Sequence, residues 1–300
     1  ANVEKGTPEW DFFSKANMMC VDESHTWGAE TLEAVCHGIL SEVPYRFFMS
    51  GTQTRGDGGE KLLQSIIGQT VHTLSTSEAI KGGFISDHDF LIVDIESSDP
   101  NRSSADILEM KRIHFLRNRN IAAFIAKLAN ASAAKGEQTL VLVEELSQIA
   151  MLIPLLNCTY AYAHSEKNAK KLNELHANTG VLLEKVDRAA SVEKFNKNQA
   201  KVLIGTSCIA TGTNIYPMRY TCNWVGGSSE IKTKQGAVGR TVRLFEQNEF
   251  AHLCQKPAMK TVVDFNVYDI FVLKKHLEER CLFYRDSGTA IRRIKIKRSA

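Results

Sequence analysis

The chain has 300 residues, 43% hydrophobic and 24% charged, with a formal net charge of +3, which suits a globular protein long enough for two cores. No apolar run is long enough to span a bilayer, and no signal-peptide pattern is seen at the start of the sequence. Its seven cysteines are odd in number, scattered and free of any C-x-x-C, which predicts reduced structural thiols in a cytosolic compartment rather than disulfides or zinc ligands.

The small net charge hides an asymmetry. Residues 1–98 carry 6 Lys and Arg against 15 Asp and Glu, and residues 99–300 carry 31 against 19. A basic second part predicts a polyanionic partner, with an ordinary solvated surface as the plainer alternative.

In chain order, Asn17 to Val21 reads as a buried parallel strand that delivers Asp22-Glu23-Ser24-His25 at its carboxyl end, the edge where open α/β sheets bind ligands. Thr31 to Leu40 has helical spacing. Tyr45 to Met49 reads as the next buried strand and opens into a glycine-marked loop, Ser50 to Gly58, before a helix over Glu60 to Ile67. Phe90 to Ile95 is a further strand, and Ser97 to Ser104 is a polar stretch where the charge changes sign. The domain boundary is therefore expected there, giving domains 1–98 and 99–300. Beyond it, strands at Thr139–Val143, Tyr160–His164, Val202–Gly205, Tyr220–Val225 and Thr261–Phe265 alternate with helices at Ser147–Leu156 and Glu166–His176, the pattern of a parallel sheet covered on both faces. Residues 177–194 resist assignment, and Ile291 to Arg298 reads either as a charged edge strand or as a basic tail.

The chemistry lies in the paired acids and in three later stretches. In a phosphoryl-transfer site a first carboxylate such as Asp22 can hold Mg²⁺, usually through water, and a second such as Glu23 can orient or deprotonate the attacking water. An acidic strand end that caps the next helix is the alternative. After the acids come, in order, Ser50-Gly51-Thr52, then Leu203 to Ser207 continuing to Thr211-Gly212-Thr213-Asn214, then Gln235-Gly236-Ala237-Val238-Gly239-Arg240-Thr241-Val242-Arg243. With these residues the chain resembles a superfamily 2 helicase of the D-E-x-H type over about residues 5 to 275, matching motifs II, III, V and VI, with motif IV at Gln138 to Leu146. Thr54 to Gly58, Glu78 to Gly83 and Arg117-Asn118 with Ile121 are similar to the phage and bacterial DNA helicases that remodel branched DNA, and Ala210-Thr211-Gly212 and Lys232 to Arg243 look most like T4-phage-type branch-migration and recombination helicases.

The resemblance implies an α/β fold of two RecA-like parallel-sheet domains, the first incomplete, working with ATP and Mg²⁺ on branched or duplex DNA in recombination and repair, in the cytoplasm of a bacterium or phage-infected cell. It implies that Asp22, Glu23, Arg240 and Arg243 are catalytic and that Asp22 holds the metal. His25, Ser50, Thr52 and Gln235 would couple hydrolysis to movement. Gly212, Asn214 and Gly239 would contact ATP, and Arg55, Gly205 and Thr206 would contact nucleic acid. A helix cap is the other reading of Thr206.

Two departures stand out. Thr211 and Asn214 occupy positions where motif V of these enzymes has acids. No glycine in the chain is followed by lysine, so the G-x-x-x-x-G-K-[ST] loop is missing and is expected upstream in a longer protein, with the 300 residues alone inactive. A nucleic-acid-binding module without ATPase activity and an RNA helicase are the competing functions.

Overall fold

The computed structural model describes residues 5–24, 29–38, 40–51, 60–102, 104–209, 213–227 and 233–296. The chain divides into two compact units, Ala1–Thr73 and Leu74–Ala300.

The first unit contains α1 (Pro8–Phe13), β1 (Met18–Val21), α2 (Ala29–His37), β2 (Tyr45–Phe48) and α3 (Glu60–Ile67), with β1 and β2 paired in parallel. Proline at the start of α1 and the Thr7 hydroxyl, which accepts from the Trp10 amide, fix where that helix begins. A strand buried on both faces was expected at β1. Instead Met19 and Val21 are buried with Cys36 and Val43, while Met18 on the opposite face is exposed, so this apolar run has one covered face.

The second unit runs α4 (Thr76–Lys81), β3 (His88–Ile95), α5 (Ile107–Lys111), α6 (Arg119–Ala134), β4 (Gln138–Val143), α7 (Leu146–Leu152), β5 (Tyr160–Ala163), α8 (Ala169–Thr179), α9 (Arg188–Asn196), β6 (Val202–Gly205), β7 (Met218–Trp224), β8 (Lys260–Val267), α10 (Phe271–Asp286) and β9 (Ile291–Lys295). The strands form one sheet in the order β5-β6-β4-β7-β8-β3-β9, parallel at each pairing. Side chains alternate between its faces: Leu91, Val93 and Ile95 enter one core with Ile121, Ile125 and Trp224, and Phe90 and Ile92 enter the other with Phe195, Leu277 and Tyr284. The parallel α/β sheet expected from the alternation is therefore present.

The expected boundary at residue 98 is corrected. β3 pairs along its full length with β8 and is buried almost throughout, so it belongs to the second unit's sheet, and the division falls between Thr73 and Leu74. Ser97 in the supposed linker is fully buried, its amide donating to Asp269 and its hydroxyl 2.7 Å from His114 Nδ1. Of the two readings of the carboxyl end, the edge strand is right for Ile291–Lys295, where Arg293 pairs with Asp94 of β3 and Arg292 with Asp89.

At the centre of β8 sits Asp264, wholly buried. Arg280 of α10 donates from Nε and Nη2 to its two oxygens at 2.7 and 2.9 Å, and the Tyr284 hydroxyl donates at 2.6 Å. Asp264→Ala is expected to lose about 3–5 kcal/mol of stability because it strands a buried guanidinium. Adding Arg280→Met should cost much less than the sum of the single changes. Urea unfolding of the three variants measures both.

Candidate active site

In the first unit, β1 and β2 run in register from Met18 with Tyr45 to Val21 with Phe48, and the chain beyond them is tied by two main-chain bonds. The Met49 amide donates to the Val21 carbonyl at 2.8 Å and the Ser24 amide to the Met49 carbonyl at 3.0 Å. The turn carrying Asp22 and Glu23 is therefore hydrogen-bonded to the end of β2 that leads into half-buried Ser50. Asp22 is exposed, and one oxygen accepts from the Glu23 amide at 2.8 Å. Glu23 has a left-handed backbone with φ of 49°, a conformation that costs a side chain with a Cβ about 1–2 kcal/mol. Strain of this kind collects at functional sites. Among the described residues no group of three or more His, Cys, Asp or Glu is placed to hold an ion. A single exposed carboxylate with a neighbour fits Mg²⁺, which keeps most of its waters and takes further oxygens from phosphates. His25, Thr52 and Arg55 lie outside the described residues.

In the second unit the two arginines meet at one atom. After β7 the chain passes through a π-helix, Thr233–Val238, and a short turn, Gly239–Thr241. π-Helical insertions recur at functional sites because the extra residue redirects the side chains that follow. Arg240 Nη1 and Arg243 Nη1 both donate to the Thr213 carbonyl, Arg243 at 2.6 Å, and Arg243 Nη1 also reaches Asn214 Oδ1 at 2.6 Å. Arg240 is only 4% exposed. Burial first, and the Arg243 charge second, push its pKa down to about 10, so it stays charged at neutral pH. Burial also lowers the pKa of Arg243. The two guanidiniums thus share one main-chain acceptor.

Of the other expected residues, Gly239 opens the short turn and Gln235 lies in the π-helix, while Gly212 is outside the described residues. Thr206 does not cap with its side chain; its hydroxyl faces Cys208 Sγ at 3.5 Å and its amide donates to Ala163. Gly205 has a packing reason to be glycine, since a Cβ there would lie 2.1 Å from Ile209 Cδ1.

Residues 120–244 match the family model of the helicase conserved C-terminal domain. The matched stretch starts in α6 and ends just after Arg243. Two solved structures share the fold: a putative HsdR subunit of a type I restriction enzyme from Vibrio vulnificus (TM-score 0.58, 14% identity, 96% of this chain and 50% of that one) and Dbp5 of S. cerevisiae bound to RNA and ADP BeF3 (TM-score 0.53, 12% identity, 93% and 59%). UvsW of phage T4 is a looser match, with a TM-score of 0.45 and 15% identity over 97% of this chain and 56% of that one. The chain thus spans 50 to 59% of the length of these three structures. No curated protein matches it.

In the second unit a lysine that carries no motif stands behind the arginines. Lys260, the first residue of β8, is 2% exposed, and its Nζ donates to the Arg243 carbonyl at 2.6 Å and the Tyr216 carbonyl at 2.8 Å. The only hint in the sequence is a charged residue opening the strongly apolar run Thr261–Phe265. Burial pushes its pKa down to about 8, partly offset by Glu246.

Below pH 8 the native state carries this buried charge at a cost, while between 8 and 10.5 the unfolded chain holds the proton more often than the native one, so stability rises with pH there. Relative to Lys260→Met, the protein should gain about 3 kcal/mol as pH rises from 7 to beyond 10. Parallel unfolding titrations of the two proteins cancel all other groups and measure this difference.

Proposed function

We propose that the chain belongs to an ATP-dependent helicase or translocase that acts on DNA and remodels branched or duplex substrates. The observation that supports this most is the convergence of Arg240 and Arg243 on the Thr213 carbonyl, within the region similar to helicase C-terminal domains. In phosphoryl transfer, charge spreads over the equatorial oxygens of the moving group, and fixed guanidiniums in a dry environment stabilise it without reorganising. Arg240 is held in such an environment by its burial. Asp22 would hold Mg²⁺ through water, and a Glu23 carboxylate oxygen would accept the proton of the attacking water. ATP supplies the phosphoryl group and Mg²⁺ neutralises its charge when both are bound.

DNA rather than RNA rests on the resemblance of residues 54–58, 78–83 and 232–243 to branch-migration helicases. An RNA substrate is the second reading, favoured by the shared fold with RNA-bound Dbp5. Residues 74–300 carry 32 Lys and Arg against 24 Asp and Glu, a balance that suits either polyanion.

The test uses the natural full-length protein that contains this sequence. Its ATP hydrolysis should be stimulated more by branched or duplex DNA than by RNA; the reverse order would move the assignment to RNA. Arg240→Ala should lower the turnover number by roughly a thousandfold or more while weakening nucleotide binding far less. Arg240→Lys should recover little, because an ammonium cannot bridge two phosphate oxygens. A variant that melts earlier and loses nucleotide and DNA binding together, with turnover per folded molecule unchanged, would leave a binding module instead.

Nucleic-acid affinity gives an independent check. If about six phosphates are neutralised, affinity should fall about a thousandfold between roughly 50 and 200 mM salt. An affinity indifferent to salt contradicts a phosphate-based contact.

A further inference from the structure

The segment that carries Arg240 and Arg243 is pinned at both ends to β8 by buried cations. At its start, Arg280, already held by Asp264 of β8, donates Nη1 to the Gly227 carbonyl. Gly226 just before has φ of 66°, and a Cβ there would lie 2.8 Å from the Phe115 ring. At its end, Lys260 Nζ binds the Arg243 carbonyl. The same oxygen also accepts from the Ser86 hydroxyl at 2.8 Å, and the Val242 carbonyl accepts from the Ser86 amide at 2.7 Å.

The two pins differ in kind. Arg280 has a carboxylate against it, and among the described residues Lys260 has none in contact: Met218 Sδ lies 3.9 Å away, and Glu246 is paired with Lys256. An apolar side chain would suit the first position of a buried strand better, and an ammonium out of water without a counter-charge is costly. What the lysine achieves for that cost is a bridge. Its second acceptor, the Tyr216 carbonyl, lies two residues beyond Asn214. One ammonium therefore fixes the end of the arginine segment against the strand entry that leads back to Thr213 and Asn214, the groups the guanidiniums rest on.

We propose that Lys260 is a positioning residue for Arg240 and Arg243, its ammonium setting the spacing between the main chain at Arg243 and the main chain at Tyr216 and so the aim of both guanidiniums. This rests on the catalytic reading of the arginines given above. The lysine touches no reacting atom; it acts through the backbone. A displacement of about 1 Å at such a group is enough to cost up to a hundredfold in rate.

Two measurements separate this inference from the reading beneath it. The first needs no activity: hydrogen–deuterium exchange on the 300-residue chain, comparing wild type, Lys260→Met, Lys260→Gln and, as a control on the exposed Glu246 pair, Lys256→Met. Lys260→Met should raise exchange of the amides of residues 240–244 about tenfold while β4 and β6 stay protected. Lys260→Gln, which can still serve one carbonyl, should fall between, and Lys256→Met should match wild type. The second is steady-state ATP hydrolysis by the natural full-length protein, where Lys260→Met should lower kcat by roughly tenfold to a hundredfold with KM for ATP within about threefold of wild type.

If wild type hydrolyses no ATP, or Arg240→Ala leaves turnover unchanged, the function proposed above fails and the exchange experiment still decides whether Lys260 holds the segment. If Arg240→Ala abolishes turnover while Lys260→Met leaves exchange and kcat as in wild type, the positioning role is overturned and the function stands. Loss of folding in both Lys260→Met and Lys260→Gln would make the lysine a determinant of the fold and would overturn the proposal as well.

Discussion

Asp264 lies in the middle of β8 with its carboxylate wholly out of water, and the last part of the chain is arranged to neutralise it. Arg280 and Tyr284, four residues apart on α10, reach it from one helix face, and the Phe265 amide adds a fourth donor at 2.7 Å. Leu273 and Leu277 continue the same buried stripe, so the ion pair fixes both the rotation of α10 and its height along the strand. With α10 docked, Arg280 can hold the Gly227 carbonyl, and the chain leaves β7 in a set direction.

Three other cations of the same unit, Arg240, Arg243 and Lys260, lie close together at the ends of β7 and β8. Their donors reach main-chain and amide oxygens that include the Thr213 carbonyl, the Asn214 amide, and the carbonyls of Arg243 and Tyr216. A hydrogen bond to a carbonyl returns only part of the hydration a cation loses on burial, typically about 1.5–3 kcal/mol for a bond to a charged group.

Much of the second unit's sheet was legible because its strands are short apolar runs bounded by turn residues, and strands expected at 139–143, 202–205, 220–225 and 261–265 fall within one or two residues of those observed. What escaped notice did so for physical reasons. α10 was missed because two positions of its buried stripe are Arg280 and Tyr284, so no apolar period marks the helix. α9 was missed because it buries Ser191 and Asn196 beside Val192 and Phe195. The boundary was misplaced because Ser97 to Ser104 has the composition of a linker, whereas its first residue is buried by contacts with Asp269 and His114 that are far away in sequence. At the site, the order of motifs announced Asp22, Glu23, Arg240 and Arg243, but Lys260 carries no motif. Its role depends on two main-chain carbonyls that only the fold brings together.

Asn214 gives the cluster its particular character. An aspartate in that position would accept from Arg243 with a full negative charge, worth roughly twice a neutral hydrogen bond, and would partly cancel the field of the arginine pair. The amide accepts the same bond at 2.6 Å and cancels nothing. Burial first, and the Arg243 charge second, lower the pKa of the Arg240 guanidinium. With asparagine at this position, the contact from Arg243 is a hydrogen bond and not a salt bridge. A site built this way relies less on side-chain charge to hold its arginines in place and more on the backbone, whose position is set by the buried groups anchored on β8.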